Sequence, residues 1–427
     1  MSGAAASAVH WGVALPEGWS IGRIKNAASV TLGKMLQPAD SGSDVEACYL
    51  RAANVQPDGV LRLSDAKKMW FGESQIRTLD LREGDVVVVE GGVGGYGRAA
   101  FVDSDLPGWG FQNSINRLRP QDADGRFLTY YLIAARQRGY IQAICNVVAM
   151  PHFTAEKLAV MQLPIPPWSE QHAIASYLDR ETSQIDALIG KQEQLIEKLR
   201  ERREAVVGYV LDAYPDKQRL KQFARVTLGK MLDAGKEPPP EAEMTRYLRA
   251  ANIKKSGTVE LSNLNLMPFT PAECERLNLL ADDLLVVEGG AMGRPAYLVD
   301  DLPGMSFQKT VNRVRPIAGK SFGRFLYYVL LQLDRAGYHR AHIDAVSMPH
   351  LTAEKLAEVG IPRTPLEEQR RIAKYLDEQT AKIDALISKA GHFIELAKER
   401  RAALITAAVT GQIDVRTTNT SSFGEVV

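Results

Sequence analysis

Cysteine is scarce: the 427 residues hold three, Cys48, Cys145 and Cys274, far apart and in no C-x-x-C pair. Neither a disulfide framework nor a thiolate metal site is therefore expected, and a reducing cytoplasm suits the chain. Long apolar runs are missing, since none reaches the ~20 residues that a membrane span needs. Met1 to Leu15 is rich in alanine but has no basic start and no extended apolar stretch, so it does not read as a signal peptide. A net charge is missing too, because 52 basic and 51 acidic residues leave +1. At face value that argues against a nucleic-acid binder, which is often strongly basic. An apolar share of 45% and a charged share of 24% exclude a mainly disordered or collagen-like chain. The length suggests two to three domains.

What the chain does have is itself, twice, at a spacing of about 198 residues. Val30-Thr-Leu-Gly-Lys-Met-Leu36 recurs as Val226-Thr-Leu-Gly-Lys-Met-Leu232, and Tyr49-Leu-Arg-Ala-Ala-Asn54 as Tyr247-Leu-Arg-Ala-Ala-Asn252. Val88-Val-Glu-Gly-Gly92 returns as Val286-Val-Glu-Gly-Gly290, and Met150-Pro-His152 as Met348-Pro-His350. The period is far too long for a solenoid, so the chain is a tandem duplication of one domain followed by one helix. Asp85 to Glu90 and Asp283 to Glu288 are short apolar runs bounded by glycine and fit buried strands. Phe127 to Tyr140 and Phe325 to Tyr338 carry helical spacing. The expected class is mixed α/β (α+β), with two similar strand-rich domains.

From Ser169 to about Ala213 proline is absent and a seven-residue pattern is sustained. Ile174, Leu178, Ile185, Leu188, Leu195 and Leu199 mark the seam, and Ile372, Leu376, Ile383, Leu386, Phe393 and Leu404 repeat it. This predicts a coiled coil whose helices, roughly 66 Å long at 1.5 Å per residue, pair antiparallel and give the chain twofold pseudo-symmetry. The expected domains are residues 1–169 and 214–367, the helices 170–213 and 368–416, and a frayed tail 417–427.

Signatures of chemistry are absent. No G-x-x-x-x-G-K-[ST] loop, no Asp…Glu-x-Lys cluster and no Asn-Pro-Pro-Phe-like motif occurs. Gly92-Val-Gly-Gly-Tyr-Gly97 has the G-x-G-x-x-G spacing, but Arg98 to Val102 reads as a strand, whereas a dinucleotide loop must open a helix. His152 and His350 sit beside a proline without convergent partners, and a structural role capping the next helix is expected. Thr154 and Thr352 are expected to begin those helices. Catalytic residues, metal ligands and a cofactor of its own are therefore not expected.

The linker motifs reach a family. Pro164-Ile-Pro-Pro167, Glu170-Gln171, Tyr177-Leu-Asp179, Thr182 and Ile185-Asp186 are matched by Ile361-Pro362, Pro365, Glu368-Gln369, Tyr375-Leu-Asp377, Thr380 and Ile383-Asp384. With the opening Leu15-Pro-Glu-Gly-Trp19 and the closing Thr410 to Arg416, the chain resembles the specificity subunit of type I restriction–modification systems from Leu15 to Arg416. The resemblance implies two target-recognition domains that read a bipartite double-stranded DNA target. It implies helices that dock methyltransferase subunits, two of them, and restriction/translocase subunits in the larger complex. S-adenosylmethionine, ATP and Mg would belong to those partners. The alternatives are a two-headed protein scaffold that does not read DNA, and an enzyme with a shared cleft.

A DNA reader needs Arg for guanine, Asn or Gln for adenine, and Lys or Arg for phosphates. Candidates in both copies are Lys34 and Lys230, Arg51 and Arg249, Asn54 and Asn252, Arg98 and Arg294, and Gln112 and Gln308. Asn116 with Arg117 and Asn312 with Arg313 complete the shared set. Lys67, Lys68, Tyr96 and Asn113 in the first copy, and Lys309 in the second, differ between copies and are candidates for sequence choice. Because the domains are so alike, related half-sites are expected, and the helices are expected to set the spacer between them. The charge divides unevenly: residues 170–213 hold 6 basic and 9 acidic side chains, and residues 214–367 hold 21 and 18. Neither domain is basic enough for tight binding alone, so weak DNA binding is expected until partners complete a basic clamp.

Overall fold

Val86–Val89 and Leu284–Val287 are central strands with every side chain buried. Val86 and Val88 face one core while Val87 and Val89 face another, and the second run splits in the same way. A strand covered on both faces has no polar side to alternate with, which is why the sequence runs apolar without a break. The structure, a computed structural model, describes residues 9–92, 95–145, 152–231, 235, 237–338 and 350–415. The readings at Val93, Gly94, Met150, Pro151, Leu232, Met348, Pro349, Arg416 and the tail 417–427 lie outside the described residues.

The chain divides into two compact units, one of residues 1–192 with 392–427 and the other of residues 193–391. In the first, a four-stranded antiparallel sheet runs in the order 28–32, 115–120, 86–89, 99–101. A three-stranded sheet runs in the order 67–72, 44–50, 109–111, with its last pair parallel. The second unit repeats both, as 224–228, 311–316, 284–287, 295–297 and as 265–269, 243–248, 305–307. Registers repeat as well: Arg117 lies opposite Thr31, and Arg313 opposite Thr227.

Four helices pack against these sheets and one another: α1 (Gly125–Gln137), α2 (Trp168–Asp212), α3 (Gly323–Arg335) and α4 (Leu366–Val409). None of the described helices is long and apolar enough to cross a membrane. Asp124 caps α1, its carboxylate accepting from the amides of Arg126 and Phe127 at 2.8 and 3.1 Å. At α3 the same position is Phe322, and the carboxylate of Asp282 accepts from the Gly323 amide at 3.0 Å instead. In the first unit a hairpin at Val9–Ala14 turns on Trp11 and Gly12, both at positive φ, as a two-residue hairpin turn favours. The Trp11 indole stacks on Tyr131 at 5.3 Å. His10 beside it is neutral, its pKa pushed down to about 4 by burial and by the charge of Arg138.

Each unit contains the start of one long helix and the end of the other, packed antiparallel. In the first, Ile174 and Leu178 share a core with Ile405, Ala408 and Val409, and Asp186 pairs with Arg401 at 3.0 Å. In the second, Val207 and Leu211 share a core with Ile372, Ala373 and Leu376, and Arg203 pairs with Asp384 at 2.9 Å. The two ion pairs are the same pair in the repeat. The opening and closing motifs meet in the first unit, where Leu15, Trp19 and Val415 share one core.

The expected seam needs one correction. Ile174, Leu178, Ile185, Leu199, Ile372, Leu376 and Ile383 are buried, and Leu404 packs against a core. Leu188, Leu195, Leu386 and Phe393 lie outside the seam and are 42–50% exposed. The buried row runs through Leu178, Thr182 and Ile185, and through Leu376, Thr380, Ile383, Ala390 and Ile394. A row of seam positions has an apolar flank three residues on and another four residues on, and period alone cannot choose between them. Burial selects the second flank.

Candidate nucleic-acid interface

The linker motifs fasten each recognition domain to its helix. Gln171 accepts from the Asp124 amide at 3.0 Å and donates to the Pro166 carbonyl at 3.0 Å. Gln369 repeats this, accepting from Phe322 at 3.0 Å and donating to Thr364 at 2.9 Å. Asp179 receives Arg126 and the Tyr130 hydroxyl, both at 2.8 Å, and Asp377 receives Arg324 at 2.7 Å and Tyr328 at 2.6 Å. Thr182 and Thr380 turn back onto Leu178 and Leu376 and meet the same tyrosines at 3.1 and 3.2 Å. Sequence reasoning used these residues as motifs and gave them no task. The signal was their recurrence at the same spacing in both copies.

Several candidate DNA contacts are internal to the fold. Asn116 and Asn312 have no exposed surface, and their amides donate to the carbonyls of Phe153 and Leu351 at 3.1 and 2.8 Å. Arg117 is 5% exposed and donates to the carbonyls of Thr78 and Asp80 and to the Asp80 carboxylate. Arg313 holds Asn278 in the same manner, and burial pushes its pKa down to about 10. Asn54 and Asn252 are buried, accept from the amides of Arg51 and Arg249, and donate to Arg62 and Glu260 carbonyls. Asparagine in this geometry closes a turn. Arg98 and Arg294 staple the glycine loops by donating to the carbonyls of Ala52 and Ile253 at 3.1 and 3.3 Å. Arg51 is paired with Asp65. The expected base-reading roles of Asn54, Asn116, Asn252 and Asn312 therefore give way to structural ones, because each is buried and donates its amide to a backbone carbonyl.

His152 also needs correcting. Thr154 and Thr352 cap the helices that follow, as expected, but His152 pairs with Gly91 in an isolated antiparallel bridge outside the sheets. A side chain at Gly91 would strike the His152 ring at 2.8 Å, and His350 lies over Gly289 in the same way. Glu90 beside this contact is pushed above the usual carboxylate range by burial, as is Glu288 in the second unit.

The remaining candidates are less enclosed. Lys34 and Gln112 form a parallel bridge, and Asn113 donates its amide to the Lys34 carbonyl at 2.8 Å. Lys230, Gln308 and Lys309 repeat this, with Lys309 in the place of Asn113. Gln112, Asn113, Gln308 and Lys309 are half-exposed. Met35 and Met231 follow the lysines at 74% and 55% exposure. Lys67 and Lys68 lie exposed on the edge strand, Lys68 at 3.4 Å from Glu46. Tyr96 is half-buried, its carbonyl held by Arg136. Cations, amides and methionine on a sheet rim match what duplex edges and phosphates accept.

The family model for the type I restriction modification DNA specificity domain matches residues 48–198 and 217–390. The chain is 22% identical over 307 residues to the type I restriction enzyme EcoBI specificity subunit of Escherichia coli, covering 64% of this chain and 64% of that protein. It is 20% identical over 425 residues to the StySPI specificity subunit of Salmonella potsdam, covering 93% and 90%. Among solved structures, a chain from a study of type I R-M assembly and conformational transition matches at TM-score 0.68 and 17% identity, covering 94% of this chain and all of that one. The HsdS subunit from Thermoanaerobacter tengcongensis matches at TM-score 0.57 and 17% identity, covering 94% and 99%.

Proposed function

The chain belongs to the type I restriction modification DNA specificity family, which matches it twice, and on that premise we propose that it reads a bipartite double-stranded DNA target with one recognition domain per half-site. One observation supports the reading: the same sheet order brings the same lysine and a half-exposed glutamine together in both units. The chain itself is non-catalytic and holds no cofactor. Methyltransferase subunits, two of them, dock on the long helices, and restriction/translocase subunits join the larger complex, in the cytoplasm. Those partners bring S-adenosylmethionine, ATP and Mg. The exposed leucines that the seam leaves over, Leu188 and Leu195 on α2 and Leu386 and Leu396 on α4, offer apolar contact to such subunits.

Co-expression with a type I methyltransferase subunit, followed by methylation mapping of the host genome, tests this reading. One interrupted motif with two related halves is expected. A complex without salt-dependent DNA binding, and a genome without a new methylated motif, would favour a protein scaffold instead.

A further inference from the structure

The shared lysine is held differently in the two units. Lys34 Nζ donates to the neutral amide oxygen of Gln75 at 2.6 Å and lies 5.5 Å from the centre of the Phe71 ring. Lys230 lies 5.1 Å from the Phe269 ring, but its partner is the carboxylate of Glu273. Gln75 and Glu273 occupy the same place in the repeat and do the same local work. The side-chain oxygen of each accepts from the backbone at its helix start, from Gly72 at 3.1 Å and from Thr270 at 2.9 Å. Glutamine and glutamate serve that capping position equally well. They differ in charge. Burial opposes ionisation of Glu273, but the hydrogen bond and charge of Lys230 and the Thr270 amide hold its carboxyl below the usual glutamate range. Asp44 lies within electrostatic reach of Lys34 and keeps its own charge, its carboxyl held below the usual range first by hydrogen bonds from Ser41, but among the described residues no ion pair joins it to Lys34.

We propose that the residue opposite this lysine decides whether its charge is offered to DNA: Gln75 leaves Lys34 available to a backbone phosphate, while Glu273 withholds Lys230. The inference rests on the DNA-reading proposed above and assigns its two domains unequal electrostatic grip. An ammonium already neutralised by a neighbouring carboxylate releases few counterions when a phosphate approaches, so it adds little to the salt dependence of binding.

The test uses the complete complex with its methyltransferase subunits and a duplex carrying both half-sites, with affinity measured across a salt series. Each phosphate contact contributes about 0.9 to the slope of log affinity against log salt. Glu273→Gln should steepen that slope by about 0.9 and Gln75→Glu should flatten it by as much. The double variant Glu273→Gln with Lys230→Met should return to the wild-type slope, and Lys34→Met should behave like Gln75→Glu. Both Gln/Glu exchanges keep the cap, so each variant is expected to stay folded, which its melting curve checks. An unchanged slope for Glu273→Gln, or a double variant as steep as the single one, overturns the inference and leaves DNA reading standing. Wild-type affinity that does not respond to salt overturns both.

Discussion

Asn116 and Gln112 carry the same amide and belong to the same stretch of chain, yet one is fully buried and the other stands at the rim. Removing the Asn116 side chain leaves the Phe153 carbonyl without its donor inside the core. Asn116→Ala should therefore cost about 1–3 kcal/mol of stability in chemical denaturation, with the methylated sequence unchanged. Gln112→Ala should stay within about 0.5 kcal/mol of wild type and relax base choice at one position of the methylation motif. Residue type pointed equally to both. Asn116 and Arg117 lie on a strand covered on both faces, so alternation could not mark either as internal. Gln112 and Asn113 precede that strand on a turn, which is why the rim pair was legible and the strand pair was not.

At the level of elements, the helices divide into buried and open rows more sharply than their sequence does. Ile185 is 8% exposed and Leu188 is 47% exposed, although both satisfied the seven-residue pattern. Ile185→Ala should cost about 2–5 kcal/mol through the cavity it leaves. Leu188→Ala should change stability by less than about 0.5 kcal/mol and instead weaken capture of the methyltransferase subunit in a pull-down titration. Helix starts were legible because proline precedes them: the expected starts at 170 and 368 lie two residues from the observed Trp168 and Leu366, whereas the expected end at 416 overran Val409, which no proline follows. The flank that turns inward was not legible, since the partner's shape selects it. The motif residues Gln171, Asp179 and Thr182 were visible as a pattern, but their tasks depend on Asp124, Arg126 and Tyr130, which lie far away in sequence.

For the whole molecule, a net charge of +1 does not show that several of its cations are engaged within the fold. Arg117, Arg313, Arg98 and Arg294 are spent on carbonyls, and Arg119 and Arg315 on the buried Asp85 and Asp283. A second property follows from the way the units are composed. Each takes its recognition domain and first helical stretch from one repeat and its closing helical stretch from the other. A chain ending at Asp216 would lack α4 and carry Arg203 in the repeat position of Arg401. Such a half should associate as a dimer in light scattering, with Asp186 of one copy paired to Arg203 of the other. Arg203→Glu should leave it monomeric or unfolded.

The matched ion pairs, Asp186 with Arg401 and Arg203 with Asp384, have the self-complementary form of an isologous contact folded into one polypeptide. A symmetric dimer of halves must carry every substitution on both sides at once. Joining the halves lifts that restriction, so Gln75 can stand against Glu273, and Asn113 against Lys309, while the helical contacts that hold the repeats together stay the same.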